Sequence, residues 1–243
     1  MGMMIRYDIK INGIMVHAAY SEESIETIFA PLIRTLRELH EARGRRILVM
    51  MAAPPAAGKS TLCQFLATLC PEMTVLGMDG FHRRQEVLMR ERTERNGESI
   101  PLVSIKGAPE TFDLPGLTQA IQRAVGGEEF GWPIYDRLLH NPVENAVMVK
   151  GDILLLEGNY LLLDEPGWRE LHTYADYTIS IRAKEEDISE RLIERKHASG
   201  ASALAAREFV YFSDLPNARL CLDKMLPADL ELVMNRDGTY DRA

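Results

Sequence analysis

Nine consecutive residues in the first third of the chain have the types and order of a phosphate-binding loop: Ala53-Pro54-Pro55-Ala56-Ala57-Gly58-Lys59-Ser60-Thr61. The pattern is Gly-x4-Gly-Lys-Ser/Thr between a strand and a helix. Its backbone N–H groups and helix N-terminus hold a β-phosphate. Lys59 would contact the β- and γ-phosphates, the Ser60 hydroxyl would bind Mg²⁺, and Thr61 would hold the α-phosphate. The segment predicts binding of a nucleoside triphosphate, expected to be ATP, with Mg²⁺ as cofactor.

One residue of this segment departs from the pattern. Ala53 stands where the pattern has glycine. Glycine reaches backbone angles that alanine avoids. The sequence leaves open whether Ala53 impairs the loop.

Two carboxylates directly follow apolar runs of the kind expected for buried strands. Asp79 follows Thr74–Met78, and Glu157 follows Ile153–Leu156. Ligands of parallel α/β sheets lie outside the carboxyl ends of the strands. One acid can hold the metal and the other can accept a proton from an attacking hydroxyl. The alternative is that each acid only caps a turn or a helix.

The elements that must position these groups follow from the hydrophobic pattern. Unbroken apolar runs predict strands covered on both faces, and helical stretches such as 117–125 and 185–196 lie between them. The runs are 47–51, 74–78, 153–156, 177–181 and 230–234. Alternating strands and helices predict an α/β fold with a mostly parallel sheet. The Gly- and Pro-rich region 96–115 is predicted to be a long loop.

The N-terminal region has a different pattern. Residues 7–11 and 14–17 alternate polar and apolar around Asn12-Gly13, which predicts a β-hairpin. A helix is predicted over 22–42, capped by Ser21. We expect one domain over 1–243, made of an extension at 1–44 and a core at 45–243.

Several strings, in this order, resemble the phosphoribulokinase/uridine kinase family of P-loop metabolite kinases. They are Pro54–Thr61, Met78-Asp79-Gly80-Phe81-His82, Lys106–Asp113, Pro133-Ile134-Tyr135-Asp136-Arg137, Glu157-Gly158-Asn159-Tyr160 and the arginine-rich stretch Arg191–Lys196. The chain is most similar to bacterial members described as nucleoside/nucleotide kinases or fructose transport system kinases. The resemblance implies a three-layer α/β/α P-loop fold with a helical lid near 191–205.

The resemblance also implies roles for individual residues. Asp79 corresponds to the general base and a metal contact, and Glu157 to the acid that ends the Walker B-like strand. Lys59, Arg191 and Arg195 complete the catalytic set, since lid arginines stabilise charge during transfer. The metal ligands would be Ser60, Glu157 and Asp79. The alternative for the two arginines is a solvated helix face paired with nearby glutamates.

The expected acceptor site contains His82 and the stretch Tyr135, Asp136, Arg137 and His140. The similar stretch of uridine kinases lines the nucleoside pocket. Arg137 stands where an aromatic residue is more usual, and it can bind an anionic substrate group. Asp136 can accept sugar hydroxyls. Lys106 and Glu110 are either near this site or ordinary surface charges.

Composition narrows the class of protein. The net charge of −8 over 243 residues disfavours a general nucleic-acid binder. No apolar run is long enough to span a bilayer, and three cysteines without metal spacing suit a reducing compartment. We expect a cytoplasmic protein without membrane insertion, with a homodimer as the default assembly.

The expected activity is transfer of the γ-phosphate of ATP to a hydroxyl of a small metabolite. A sugar, a nucleoside and a pantothenate-like acid all stay open as acceptors, with a slight preference for a sugar such as fructose. ATP is not distinguished from other nucleoside triphosphates. The alternative is a regulatory ATPase without a dedicated acceptor, which Ala53 motivates.

Overall fold

The computed structural model describes residues 4–11, 14–95 and 97–243. The strands are β1 Met4–Ile11, β2 Ile14–Ser21, β3 Ile47–Ala52, β4 Met73–Gly77, β5 Arg92–Arg95, β6 Glu98–Pro101, β7 Gly131–Asp136, β8 Asn141–Met148, β9 Ile153–Gly158, β10 Tyr177–Ala183, β11 Leu230–Met234 and β12 Tyr240–Arg242. The helices are α1 Glu22–Ser24, α2 Ala30–Arg43, α3 Lys59–Leu69, α4 Gln85–Arg90, α5 Leu114–Val125, α6 Glu185–Ala198, α7 Ala203–Phe209 and α8 Leu215–Asp223.

Within the described ranges, six strands form the central sheet in the order β12-β11-β10-β3-β9-β4. All neighbours pair in parallel except β11 and β12. The five parallel strands coincide with the five apolar runs of the sequence, so the predicted mostly parallel α/β sheet is confirmed. The short antiparallel strand β12 was not predicted.

The sheet is the middle of three layers because β3 and β9 alternate their side chains between two apolar cores. Ile47, Val49 and Met51 belong to a core shared with α2 and α3. Leu48 and Met50 belong to a second core that contains α5. Burial on both faces explains why these strands read as unbroken apolar runs. This confirms the three-layer α/β/α arrangement.

The N-terminal strands β1 and β2 pair antiparallel in register Ile11↔Ile14, as the alternation predicts. The predicted turn Asn12-Gly13 lies outside the described residues. Tyr7 and Tyr20 fix the hairpin to α3, with ring centroids 5.4 Å and 4.3 Å from that of Phe65. The hairpin therefore packs beside the helix that starts at the phosphate-binding loop.

The long helix predicted from residue 22 has three segments. After α1, a π-helical segment Ile25–Phe29 leads into α2, and Pro31 stands in the first turn of α2. Proline has no N–H to give to the preceding turn. The π-helical turn directly precedes this proline, and the chain stays helical through both. The Ser21 hydroxyl accepts from the Ser24 N–H at 3.0 Å, so the predicted cap is present.

The prediction of a long loop over 96–115 was wrong. β6 pairs with β5, two 3₁₀ turns cover Leu102–Ile105 and Pro109–Thr111, and α5 begins at Leu114. Leu88, Leu102, Ile105 and Ala108 form a small buried cluster beneath these turns. Such short elements have too few residues to show a hydrophobic period, and they are stabilised by this cluster rather than by propensity. The hairpin β7–β8 was likewise not predicted.

The predicted helical lid corresponds to a pair of helices. α6 ends at Ala198, and the chain reverses through Gly200, whose φ is 100°. α7 then returns along α6 and continues through a π-helical segment Val210–Asp214 into α8. Ile188, Leu192, Val210 and Leu215 form the apolar contact between these helices. The lid is therefore a packed unit with its own small core.

Candidate active site

The predicted phosphate-binding segment connects β3 to α3, which begins at Lys59. Ala53 is buried and is not among the described non-glycine residues with positive φ. The left-handed backbone lies at Ala56, with φ 65°, and at Gly58, with φ 72°. The alanine that departs from the pattern therefore occupies a position that alanine tolerates. The unusual conformation is at the fourth residue of the loop.

Gly58 is required by its surroundings. A Cβ there would lie 2.8 Å from the Tyr240 hydroxyl oxygen, closer than side chains approach. The Tyr240 hydroxyl in turn donates to the Ala57 carbonyl at 3.3 Å. Strand β12 thereby holds the loop from the side.

Glu157 is the last residue but one of β9 and lies beside the loop. Its register partners are Met51 on β3 and Gly77 on β4, so it lies between the two strand ends that bear the other site residues. The Ser60 hydroxyl donates to Glu157 Oε1 at 2.6 Å, and Lys59 Nζ is 3.9 Å from Oε2. Burial raises the pKa of Glu157, and the nearby Asp79 charge adds to this, while Lys59 opposes it. A hydroxyl and a carboxylate in contact form an oxygen donor pair of the kind Mg²⁺ prefers.

Asp79 lies in a 3₁₀ turn, Met78–Phe81, directly after β4. Burial by itself raises the pKa of Asp79, but four basic side chains together hold that pKa below its ordinary value. In order of effect they are His82, Lys59, Arg137 and Arg195. The two carboxylates are therefore shifted in opposite directions. Such a separation is typical of acids with different roles in one site.

The Asp79 turn is pressed against β7. A Cβ on Gly80 would lie 2.1 Å from the Pro133 carbonyl oxygen. On the same side, the Trp132 indole N–H donates to the Gly77 carbonyl at 2.9 Å. These contacts join the strand that bears Tyr135 and Asp136 to the end of β4.

The structure separates the residues predicted for the acceptor site into two groups, of which the first contains His82 and Tyr135. His82 stacks on Phe112, with centroids 4.0 Å apart, and contacts the Tyr135 ring at 4.9 Å. Burial lowers the pKa of His82 to about 4, so the imidazole is neutral at neutral pH. Its Nδ1 is buried and has no hydrogen-bond partner among the described residues. Buried polar atoms are rarely left so, and a bound group is one way to satisfy them.

The other predicted acceptor residues lie in the turn between β7 and β8. Asp136 Oδ1 accepts from the N–H groups of Leu138 and Leu139 at 2.8 Å and 3.0 Å, so this carboxylate stabilises the turn. His140 is exposed with φ 52°. Arg137 is half-buried, and its charge lowers the pKa of both Asp79 and Glu157.

Lys106 lies over the Tyr135 ring, 4.9 Å from its centroid. Its ammonium donates to Gln85 Oε1 at 2.6 Å and to the His140 carbonyl at 2.9 Å. Burial lowers the pKa of Lys106 to about 8. Glu110, the other residue that the sequence left as either near this site or a surface charge, pairs with Arg95 at 2.8 Å.

The two arginines of the predicted lid, Arg191 and Arg195, lie near different groups. Arg195 is exposed, and its charge acts on Asp79 and on Asp214. Arg191 lines a separate cavity with Gly58 and Thr61, and its Nη2 donates to the Arg236 carbonyl at 3.1 Å. Residues four apart on a helix share a face but are separated by about 6 Å along its axis, enough to reach two parts of a long ligand.

Sequence reasoning gave no role to Phe112, Asp214 or the hairpin strands. Phe112 supports His82, and Asp214 faces Arg195, Lys196 and Arg137. Burial raises the pKa of Asp214 and those cations oppose the rise. Only packing between distant parts of the chain brings Asp214 near Arg137. No sequence signal placed β1 and β2 beside the phosphate-binding loop.

Comparison with known proteins places the chain in a family. No family model matches the chain. The uncharacterized protein YggC of Escherichia coli (strain K12) is 37% identical over 243 residues, covering 97% of this chain and 98% of that protein. The crystal structure of a "putative fructose transport system kinase" from Silicibacter sp. TM1040 is 33% identical, with a TM-score of 0.76, covering 84% of this chain and 98% of that one. The "putative uridine kinase C227.14" of Schizosaccharomyces pombe is 28% identical over 200 residues, 77% of this chain and 83% of that protein.

The chain belongs to the phosphoribulokinase/uridine kinase family of P-loop kinases. It is a P-loop kinase of a small metabolite, and hence a phosphotransferase. In the ranges 4–11, 14–95 and 97–243, no helix is both long and apolar enough to cross a membrane.

Proposed function

We propose that this protein transfers the γ-phosphoryl group of ATP to a hydroxyl of a small metabolite. The observation that carries the proposal is the convergence of Lys59, Ser60, Glu157 and Asp79 at the carboxyl ends of β3, β9 and β4. In an open α/β sheet this edge is where ligands bind. Phosphoryl transfer depends mainly on positioning and charge stabilisation, which this arrangement supplies.

The loop Ala53–Thr61 would hold the triphosphate. Backbone N–H groups and the start of α3 would bind phosphate oxygens, and Lys59 would contact the β- and γ-phosphates. The oxygens of Ser60 and Glu157 fit Mg²⁺, with Asp79 as a further ligand. When bound, the ion would neutralise phosphate charge.

Asp79 is proposed as the base. The acceptor oxygen attacks the γ-phosphorus, the bond from that phosphorus to the β–γ bridging oxygen breaks, and ADP leaves. The hydroxyl proton passes to the Asp79 carboxylate. Its lowered pKa keeps this group ionised at neutral pH, ready to accept the proton as the hydroxyl becomes acidic during transfer. Arg195 would offset charge on the transferred group.

The acceptor would bind between the Asp79 turn and the β7–β8 turn. Tyr135, His82 and Lys106 form one wall, and Arg137 is placed to hold an anionic group. The positive charges of Lys106 and Arg137 favour an acceptor that has a hydroxyl and also carries a carboxylate or phosphate, such as an acidic sugar derivative or a pantothenate-like acid. Fructose and nucleosides, which are uncharged, serve as the neutral acceptors for comparison.

The test is an acceptor panel with purified protein, ATP and Mg²⁺, read by mass spectrometry of phosphorylated product. Lys59→Ala should lower kcat/KM by about 10³-fold, the order seen when a charge-stabilising donor is lost. Lys150→Ala, an exposed lysine, is the matched control. Release of inorganic phosphate alone, with every acceptor tried, would contradict the proposal.

Release of inorganic phosphate alone is the outcome that the alternative, a regulatory ATPase, requires. Its motive in the sequence was Ala53, which is not in a strained conformation. The alternative therefore has no separate structural observation in its favour. The single domain and the homodimer stay predictions, and sedimentation of the purified chain tests the latter.

A further inference from the structure

A cavity of roughly 610 Å³ opens beside the phosphate-binding loop. Gly58 and Thr61 form its inner end, and Arg191, Asp237 and Gly238 form one side. The N-terminal hairpin forms the other side through Arg6, Asp8 and the run Val16–Tyr20. Its volume lies within the range of about 300–1,000 Å³ that is usual for small-molecule sites.

The strand order shows which part of a nucleotide this cavity can receive. Met234 and Tyr240, which line it, belong to β11 and β12 at one end of the sheet, whereas Asp79 follows β4 at the other end. β3, with the loop, lies between them. A triphosphate on the loop must direct its transferred end toward Asp79. Its nucleoside end must then extend past Thr61 toward β11, β12 and the hairpin.

The hairpin presents an edge to this cavity. Five consecutive residues of β2, Val16–Tyr20, line it. Successive side chains of a strand point to opposite faces, so a continuous run indicates the strand's edge. In the described part of the chain β1 and β2 form a sheet of two strands, which leaves the other edge of β2 without a strand partner. The N–H and C=O groups of such an edge are available for hydrogen bonds.

Polar side chains flank that edge. Arg6 is the register partner of Ala19, and Asp8 is that of His17. Asp8 Oδ1 and His17 Nδ1 are 2.8 Å apart, and both side chains are exposed. The wall therefore combines a strand edge with a guanidinium, a carboxylate and an imidazole, groups that can pair with ribose hydroxyls and with the edge of a base.

We infer that the β1–β2 hairpin is the outer wall of the nucleoside pocket, and that the β2 edge with Arg6, Asp8 and His17 binds the ribose and base. The inference rests on the proposed binding of a nucleoside triphosphate to the Ala53–Thr61 loop. It gives the N-terminal extension a direct part in nucleotide recognition. Arg191 would face the nucleoside from the lid while Arg195 faces the transferred phosphate.

The test compares two ligands that share phosphates but not a nucleoside. The Kd of a non-hydrolysable ATP analogue and of inorganic tripolyphosphate, each with Mg²⁺, is measured by calorimetry on the full chain. Arg6→Ala should weaken the analogue about fivefold and Ala19→Leu, which fills the cavity, about tenfold or more, corresponding to lost contacts of ordinary size. In both variants the Kd of tripolyphosphate should change less than about twofold.

Met15→Ala is the matched control, because Met15 is an exposed residue of β2 that does not line the cavity. It should change neither Kd. Far-UV circular dichroism and Tm establish that each variant is folded; if Ala19→Leu does not fold, Arg6→Ala and Asp8→Asn carry the test.

Unchanged analogue binding in the folded hairpin variants would overturn the inference and leave the proposed kinase intact. Equal losses for the analogue and tripolyphosphate would also overturn it, since the hairpin would then act on phosphate. Hairpin-dependent nucleotide binding in a protein that phosphorylates no acceptor would support the inference while contradicting the proposed function. If the wild type bound neither ligand, both would be wrong.

Discussion

At the residue scale, the candidate site pairs two carboxylates whose surroundings differ. Glu157 is buried and hydrogen-bonded to Ser60, and burial raises its pKa. Asp79 faces four basic groups that lower its pKa despite burial. Asp79, which is held ionised, suits proton acceptance late in transfer. Glu157, which contacts the Ser60 hydroxyl, suits metal binding.

Asp79→Asn should reduce kcat by about 10²–10⁴-fold, the usual contribution of a general base. The Kd for a non-hydrolysable ATP analogue with Mg²⁺ should change much less than kcat, because Lys59, Ser60 and Glu157 remain to hold the phosphates and the metal. Steady-state kinetics and calorimetry check the two parts. Asp152→Asn, which changes an exposed aspartate, serves as control. Near wild-type turnover in the Asp79→Asn variant would show that Asp79 is not the base.

Lys106 gives a prediction about pH. Burial lowers the pKa of Lys106 from 10.5 to about 8, so its charge is present below pH 8 and is lost above it. If this charge helps to hold an anionic acceptor, wild type and Lys106→Gln should differ most in acceptor KM near pH 7. The difference should shrink as pH rises to 9, while the KM for ATP stays equal in both. A gap that is constant with pH would contradict this role.

At the element scale, the site depends on how closely the β4 end approaches β7. The Asp79 turn packs on the Pro133 carbonyl, and the Trp132 indole binds the Gly77 carbonyl. Helix α6 carries Arg191, which lines a cavity with Gly58 and Thr61, and one turn later Arg195, whose charge lowers the pKa of Asp79. The hairpin β1–β2 closes the cavity at Gly58 and Thr61.

Two neighbouring glycines test the approach of β7. Gly80→Ala should lower the free energy of unfolding by about 2–3 kcal/mol, because the new methyl meets the Pro133 carbonyl oxygen. Gly77→Ala should stay within about 0.5 kcal/mol, since its Cβ would lie 3.8 Å from Glu157 and its φ is −112°. Urea unfolding of both variants measures the contrast. Equal stability would mean that the turn can move away from β7 at little cost.

At the scale of the whole molecule, the three layers place the phosphate-binding loop, Glu157 and Asp79 at one edge of the central sheet. β3 and β9 are buried on both faces, so the strand ends that bear the loop and Glu157 are held by two cores at once. The lid contributes a smaller core of its own. A rigid sheet with a separately packed lid suits a site that must close over phosphates.

The central strands should therefore dominate stability. Leu155→Ala in β9 should cost about 2–5 kcal/mol, as is usual for a fully buried leucine. Leu139→Ala, 64% exposed in the β7–β8 turn, should change stability by less than about 0.5 kcal/mol. Thermal and urea unfolding compare the two. A small effect at Leu155 would mean that the core around β9 repacks freely.

The sequence by itself determined the sheet and the loop, because both depend on local patterns. Apolar runs marked five parallel strands, and Gly58, Lys59 and Ser60 marked the phosphate-binding turn. The hairpins β5–β6 and β7–β8 were missed because their strands are half-exposed and show no decisive hydrophobic period. Only the tertiary structure decided that Arg191 lines a cavity while the Arg195 charge acts on Asp79, that Asp136 stabilises its own turn and that the hairpin shares a cavity with Thr61. Those facts depend on packing between residues far apart in the chain, which no local pattern encodes.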